Sequence, residues 1–183
     1  MNTNLYNTNT NTNTNTNIPK RDLDNIKLVV FDFDGTFTDC QFYVSSSGEH
    51  MKSYNGKDSY AIKILKDLGL KVGIITAHDS ECFDHILKFN HFNKLDLFDR
   101  GSKRKINVLD EWRKELAIDW ENIAYMGDDL GDLECMKTVG YSACPADAVD
   151  AVRKNSRFIC KNGGGKGAVR EWVDLWWGYR YDN

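Results

Sequence analysis

Two carboxylates stand two residues apart in the string Val29-Val30-Phe31-Asp32-Phe33-Asp34-Gly35-Thr36. The run before them is rich in β-branched and aromatic residues, and a strand places residues i and i+2 on one face. Asp32 and Asp34 therefore come together where the strand gives out at Gly35. Like charges that close are costly unless a cation compensates them or one keeps its proton. The pattern fits a divalent-metal site with a nucleophilic carboxylate and an acid/base partner. Asp-x-Asp-Gly also occurs in ordinary turns and calcium loops, so the string needs company.

Company comes at later strand ends. Thr76 closes the apolar run Lys71–Thr76, Lys105 begins a helical pattern, and Gly127-Asp128-Asp129-Leu130-Gly131-Asp132 follows the run Ile123–Met126. Each has a bland reading on its own. Thr76 is then a β-branched strand residue, Lys105 part of a solvated run Lys103-Arg104-Lys105, and Gly127-Asp128-Asp129 a helix-capping turn. Their joint appearance in order, each near an expected strand end, argues for a site. Phosphoryl transfer through an aspartyl intermediate needs these parts. A hard cation such as Mg²⁺ takes carboxylate and carbonyl oxygens and offsets repulsion between anionic nucleophile and phosphate. A hydroxyl and an ammonium hold the non-bridging oxygens, and a second carboxyl protonates the leaving alcohol and later activates water.

The elements that must position these groups can be read coarsely. Lys27–Phe33, Lys71–Thr76, Leu95–Phe98, Ile123–Met126 and Tyr141–Cys144 have strand length and composition. Ala61, Ile64, Leu65 and Leu68 repeat at helical spacing up to Gly69, and Ile106, Leu109 and Leu116 do so after Ser102. A last helix is predicted from about Lys166 through Trp176. Strands alternating with helices predict an α/β fold: a three-layer, Rossmann-like parallel sheet whose strand ends share one rim. One segment breaks the alternation. Gln41–Val44 and His50–Tyr54 flank Ser45-Ser46-Ser47-Gly48 and predict a projecting β-hairpin (41–54), with no cap domain.

Bulk properties exclude several classes. Residues 1–20 form an Asn/Thr-rich stretch with almost nothing to bury, expected to be a disordered tail, leaving 21–183 as one domain. Of the 183 residues, Lys and Arg make up 24 and Asp and Glu 27, a formal charge of −3 with no basic patch; nucleic acid is not an expected partner. No apolar run approaches the ~20 residues of a membrane span. Five cysteines, Cys40, Cys82, Cys135, Cys144 and Cys160, include no Cys-x-x-Cys pair and read as reduced thiols of a cytoplasmic protein.

Asp32-Phe33-Asp34-Gly35-Thr36-Phe37-Thr38-Asp39, Thr76, Lys105 and Gly127-Asp128-Asp129 resemble the four motifs of the haloacid dehalogenase superfamily of phosphatases. More narrowly, the stretch from Ile26 to about Trp176 resembles the capless branch acting on sugar-acid phosphates. That branch holds 3-deoxy-manno-octulosonate 8-phosphate phosphatase and the carboxy-terminal domain of animal N-acylneuraminate cytidylyltransferases. The resemblance implies a Mg²⁺-dependent phosphatase of an octulosonate 8-phosphate or a nonulosonate (sialate) 9-phosphate. Asp32 would be nucleophile and metal ligand. Asp34 would be acid/base and lend the metal its main-chain carbonyl, and Asp128 would be the remaining ligand. Thr76 and Lys105 would hold the phosphoryl group, with Asp129 and Asp132 in support. Asn55, Gly56, Lys57, Asp58, Ser59 and Lys63 match the segment that lines the substrate pocket in this branch, and His78 sits where substrate passes. The hairpin would pair with others in a homotetramer, and the C-terminal tail (163–183) would reach towards a neighbour's site.

The chain also departs from its relatives. The octulosonate phosphatases carry Gly-Arg after the motif Thr, where this chain has Ala77-His78. Animal cytidylyltransferase domains have lost the first motif Asp, which this chain keeps. The rival reading is a non-catalytic oligomerisation or regulatory module related to those domains; intact clustered carboxylates weigh against it. His78, His85 and His91 form no metal-binding spacing with the cysteines, and His50 lies in the expected hairpin. Trp172, Trp176 and Trp177 read as packing or subunit contacts, and Gly163–Gly165 as a flexible hinge.

Overall fold

The computed structural model describes residues 23–48 and 50–181, so the Asn/Thr stretch lies outside it, as does the Trp177 side chain. Its centre is a fully parallel six-stranded sheet. In chain order the strands are β1 (Leu28–Phe31), β4 (Lys71–Thr76), β5 (Leu97–Arg100), β6 (Ile123–Met126), β7 (Tyr141–Cys144) and β8 (Phe158–Ile159), arranged β5-β4-β1-β6-β7-β8. Between them run α1 (Gly56–Asp67), α2 (Cys82–Ile86), α3 (Lys105–Glu115), α4 (Leu133–Thr138) and α5 (Asp150–Arg153), and α6 (Ala168–Tyr181) follows β8.

Strand β1 shows why this sheet is buried on both faces. All four of its side chains are fully buried, and they alternate: Val29 and Phe31 join the core beneath α1 and α6, Leu28 and Val30 the core beneath α3 and α4. That is the period-two signature of a parallel strand covered by helices on each side. On the first face, Ala61, Ile62 and Leu65 of α1 share a core with Val169, Trp172 and Val173 of α6. Phe31, Phe33, Phe37, Phe83 and Phe92 extend it under the C-terminal rim, with ring centroids 5.0–5.8 Å apart in contacting pairs.

The five strands expected from sequence are present, with trimmed ends. The first is Leu28–Phe31 because Asp32-Phe33 already turns out of the sheet; the third lies later, at Leu97–Arg100. Strand β8 and the short helices α2, α4 and α5 carry too few periodic residues to be read in advance. The hairpin is real: β2 (Tyr43–Val44) and β3 (His50–Met51) pair antiparallel, Tyr43 opposite Met51, apart from the main sheet. Phe42, Tyr43, Val44 and Met51 stand exposed on it. No helix among the described residues is long and apolar enough to cross a membrane.

Two expectations for the C-terminal segment need correction. Gly163–Gly165 is no loose hinge. The Gly165 amide donates to Thr36 O at 3.0 Å and the Gly164 amide to Asp147 Oδ1 at 2.9 Å, while a Cβ on Gly164 would stand 1.9 Å from Gly35 O. Only a residue without a side chain lets this loop lie flat on the turn that follows β1. Nor is the segment after it a loose tail within this chain; it forms α6, which buries Trp172 and Trp176 in the core.

Candidate active site

The strand order places the reactive groups. From β1 the chain moves outward through β4 to β5, then returns to the far side of β1 with β6, so the direction reverses between β1 and β6. In open α/β sheets that reversal leaves a crevice at the strands' carboxyl ends where ligands bind. Asp32 follows β1 and Gly127-Asp128 follows β6, and the Asp32 amide donates to Met126 O at 2.9 Å, tying the two ends together. A cavity of about 250 Å³ opens here, lined among others by Asp32, Asp34, Thr76, His78, Lys105 and Asp128.

Asp32, Asp128 and Asp132 each offer a carboxylate oxygen within 4.8 Å of the other two. Lys105 Nζ lies 2.7 Å from Asp32 Oδ1 and 2.7 Å from Asp132 Oδ1, and the Tyr125 hydroxyl donates to the same Asp132 oxygen at 2.8 Å. The Asp128 and Asp129 amides reach Asp132 Oδ2 at 3.1 and 3.3 Å. Asp132 is thus fully engaged as an internal anchor. Asp128 is different: its Oδ1 is buried and has no hydrogen-bond partner. Gly35, at φ +82°, makes room for it, since a Cβ there would lie 2.0 Å from Asp128 Oδ2.

Electrostatics follow from this crowding. Burial, then the Asp132 charge, push the Asp32 carboxyl well above its usual range, and Lys105 only partly opposes them. Burial and Asp132 likewise push Asp128 up to about 7. Burial works against the Lys105 ammonium, yet Asp32 and Asp132 together raise it above the ordinary lysine value. With all three carboxylates ionised, the one ammonium would leave two negative charges uncompensated. An orphaned buried carboxylate oxygen, hard oxygen donors and a charge deficit of that size fit a divalent cation such as Mg²⁺.

Asp34 belongs to a second group on the same rim. Its Oδ2 accepts from Lys52 Nζ at 2.6 Å and its Oδ1 from Thr38 Oγ1 at 3.3 Å, with His78 Nδ1 3.6 Å from Oδ2. Thr76, 1 % exposed, accepts from the His78 amide at 3.3 Å, which shapes the loop leaving β4. Asp129 caps the turn after it through Leu130 N at 2.7 Å.

Asp32, Asp34, Thr76, His78, Lys105, Asp128, Asp129 and Asp132 therefore converge. The expected pocket segment does not, within this chain. Asn55 caps α1 by accepting from Lys57 N at 2.9 Å. Asp58 is fully buried and accepts from the Gly167 and Arg170 amides at 3.0 and 2.8 Å, capping α6 from a distance. Ser59 turns its hydroxyl back to Gly56 O, and Lys63 pairs with Asp67 one turn on. None of Asn55, Gly56, Lys57, Asp58, Ser59 and Lys63 lines the cavity. Lys52, Cys40, Phe42 and Tyr125 escaped the sequence reading; lone residues outside any motif, they carried no spacing signal.

Comparisons with known proteins agree with this geometry. Residues 78–171 match the model of the haloacid dehalogenase-like hydrolase family. The 3-deoxy-D-manno-octulosonate 8-phosphate phosphatase of Escherichia coli K12 is 33% identical over 155 residues, covering 83% of this chain and 79% of that protein. The 3-deoxy-D-manno-octulosonate 8-phosphate phosphatase of Moraxella catarrhalis, solved with a magnesium ion, a phosphate ion and a KDO molecule, superposes with a TM-score of 0.82 at 29% identity, over 87% of this chain and 90% of that one. A cobalt-bound form from Haemophilus influenzae gives 0.80 at 31%, over 87% and 91%. The fold, the reversal-point carboxylates and these relatives together place the chain in the haloacid dehalogenase-like hydrolases, as a phosphoric monoester hydrolase of the branch without a cap domain.

Proposed function

We propose that this protein is a Mg²⁺-dependent phosphatase of an eight- or nine-carbon sugar-acid phosphate, working through an aspartyl-phosphate on Asp32. The observation that carries the reading is the buried trio Asp32, Asp128 and Asp132 around Lys105, with one Asp128 oxygen left unpartnered. Asp32, Asp128 and the main-chain carbonyl of Asp34 would hold the metal. When bound, the cation compensates charge between the carboxylate nucleophile and the phosphoryl oxygens.

Asp32 attacks phosphorus as the ester P–O bond breaks, and Asp34 gives its proton to the departing alkoxide. Thr76 and Lys105 hold the transferring oxygens. Asp34 then takes a proton from the water that cleaves the acyl phosphate, which frees Asp32 and releases phosphate. Asp132 and Tyr125 fix Lys105 between its two carboxylates.

Relatives that act on octulosonate 8-phosphate support the sugar-acid class, whereas His78 in place of their Arg favours a different member, such as a nonulosonate 9-phosphate. The exposed apolar hairpin supports a homotetramer, with 21–183 as the phosphatase domain, and cysteines in the reduced state suit a cytoplasmic setting. The test is phosphate release, with and without Mg²⁺, from 3-deoxy-manno-octulosonate 8-phosphate, N-acetylneuraminate 9-phosphate and its deaminated analogue. Mg²⁺-dependent turnover of one member is expected, and Asp32→Asn should lower it ~10³-fold or more with the fold intact. Silence across the panel, or normal turnover by that variant, returns the chain to the oligomerisation-module reading.

A further inference from the structure

We propose that Lys52, delivered by the hairpin, is the positioning residue that fixes the Asp34 carboxylate for proton transfer. This rests on the reading of Asp34 as acid/base. Lys52 follows β3 directly, and its side chain is 1% exposed. A buried ammonium demands a partner, because leaving it unpaired costs several kcal/mol. Here the partner is Asp34 Oδ2 at 2.6 Å, a short charge-assisted hydrogen bond.

The surroundings leave the ammonium little room to move. Its Nζ is 4.9 Å from the Phe83 ring centroid, 5.0 Å from Phe42 and 5.7 Å from Phe33, cation–π distances that favour the charge in a low-dielectric setting. It also lies 2.9 Å from His78 Nδ1, which accepts when the ring proton is on Nε2. Thr38 meanwhile donates to the other oxygen of Asp34 at 3.3 Å. Each carboxylate oxygen thus has its own donor, and the plane of the carboxyl group is set from two sides. Asp34, Phe42 and His78 line the cavity, but Lys52 does not. A substrate there meets Asp34 and not Lys52, so Lys52 acts through the carboxylate.

The hairpin accordingly has a second job. Phe42 comes just before β2 and Lys52 just after β3, so one end of the projection holds Asp34 and the other packs a ring against the ammonium that holds it. Phe42 also stacks edge-on against His78, with centroids 5.2 Å apart.

General acid assistance matters more as the leaving group worsens, which separates positioning from binding. Phenyl phosphate has the poorer leaving group and p-nitrophenyl phosphate the better. The measured quantity is kcat/KM with each, which reports the step that expels it, for wild type, Lys52→Met, Asp34→Asn and the double variant. Lys52→Met is expected to lose at least ~10-fold more on phenyl phosphate than on p-nitrophenyl phosphate, in the direction of Asp34→Asn, and to remove nothing further in the Asp34→Asn background. Equal loss on both esters, or an additional loss in that background, would overturn the proposal by making Lys52 a substrate contact or a residue of the fold alone. If Lys52→Met does not fold, as judged by circular dichroism, the comparison of Asp34→Asn with the double variant decides: in Asp34→Asn the new amide oxygen still accepts from Lys52, the double variant carries neither charge, and both are checked for folding in the same way. Should Asp34→Asn itself show no leaving-group selectivity, it is the acid/base reading that fails, and the two failures are told apart.

Discussion

Asp132 is engaged by four donors, Lys105 and Tyr125 on one oxygen and two backbone amides on the other, whereas Asp128 keeps a buried oxygen with no partner. The two carboxylates are four residues apart and do opposite things. One is a finished internal anchor, the other an unfinished site. Because Asp128 is pushed from an ordinary value of 3.8 up to about 7, its ionisation is harder in the folded protein than in the unfolded chain. The sign follows: the metal-free protein loses stability from this group as pH rises from ~4 through 7. Asp128→Asn removes that dependence. In chelator, it should raise Tm by a few degrees at pH 8, about 1 kcal/mol, and by much less at pH 5. A gain of equal size at both pH values would show that charge crowding is not the cause. The same variant should lose most of the Tm increase that Mg²⁺ gives the wild type.

Among the elements, α6 is the one whose placement is most exposed to a single change. Its first amides are capped by Asp58 of α1, 109 residues away from Gly167. Asp58→Ala should cost about 1–3 kcal/mol in a urea titration, since it strands two buried amide donors. Gly164→Ala drives a methyl group into the Gly35 carbonyl and should cost about 1–3 kcal/mol while also lowering turnover, because the displaced loop is the one that carries Asp34. Stability loss with kcat unchanged would separate that loop from the chemistry.

The same elements show what the sequence revealed. Long apolar strands and the motifs at their ends were legible, because β1, β4 and β6 advertise themselves by composition and the candidate site residues sit where each strand stops. Asp58 and Lys52 were not. A distant helix cap and a buried ammonium are defined by what the fold brings to them, and no local periodicity marks either. Asn55 and Asp58 match, by resemblance, a segment that lines the substrate pocket; within this chain their side chains cap helices.

For the molecule as a whole, the metal should behave as part of the fold. Mg²⁺ at 100 times its Kd stabilises by about 2.7 kcal/mol if the unfolded chain does not bind it, and chelation should reverse the Tm gain. A Tm indifferent to both Mg²⁺ and chelator would count against Asp32 and Asp128 as its ligands. Two cores, one on each face of the sheet, are tied together by the same central strand that Asp32 follows, so damage to either face reaches Asp32.

The glycine loop at 163–165 has a consequence in time. The turn that bears Asp34 is made first, and the backbone that braces it is made 129 residues later, counting from Gly35 to Gly164. At ribosomal speeds of ~5–20 residues per second, on the order of ten seconds separates the two. Throughout that interval the nascent chain carries its reactive carboxylates on an unbraced turn, so the emerging polypeptide acquires its active site only as its last helix is delivered.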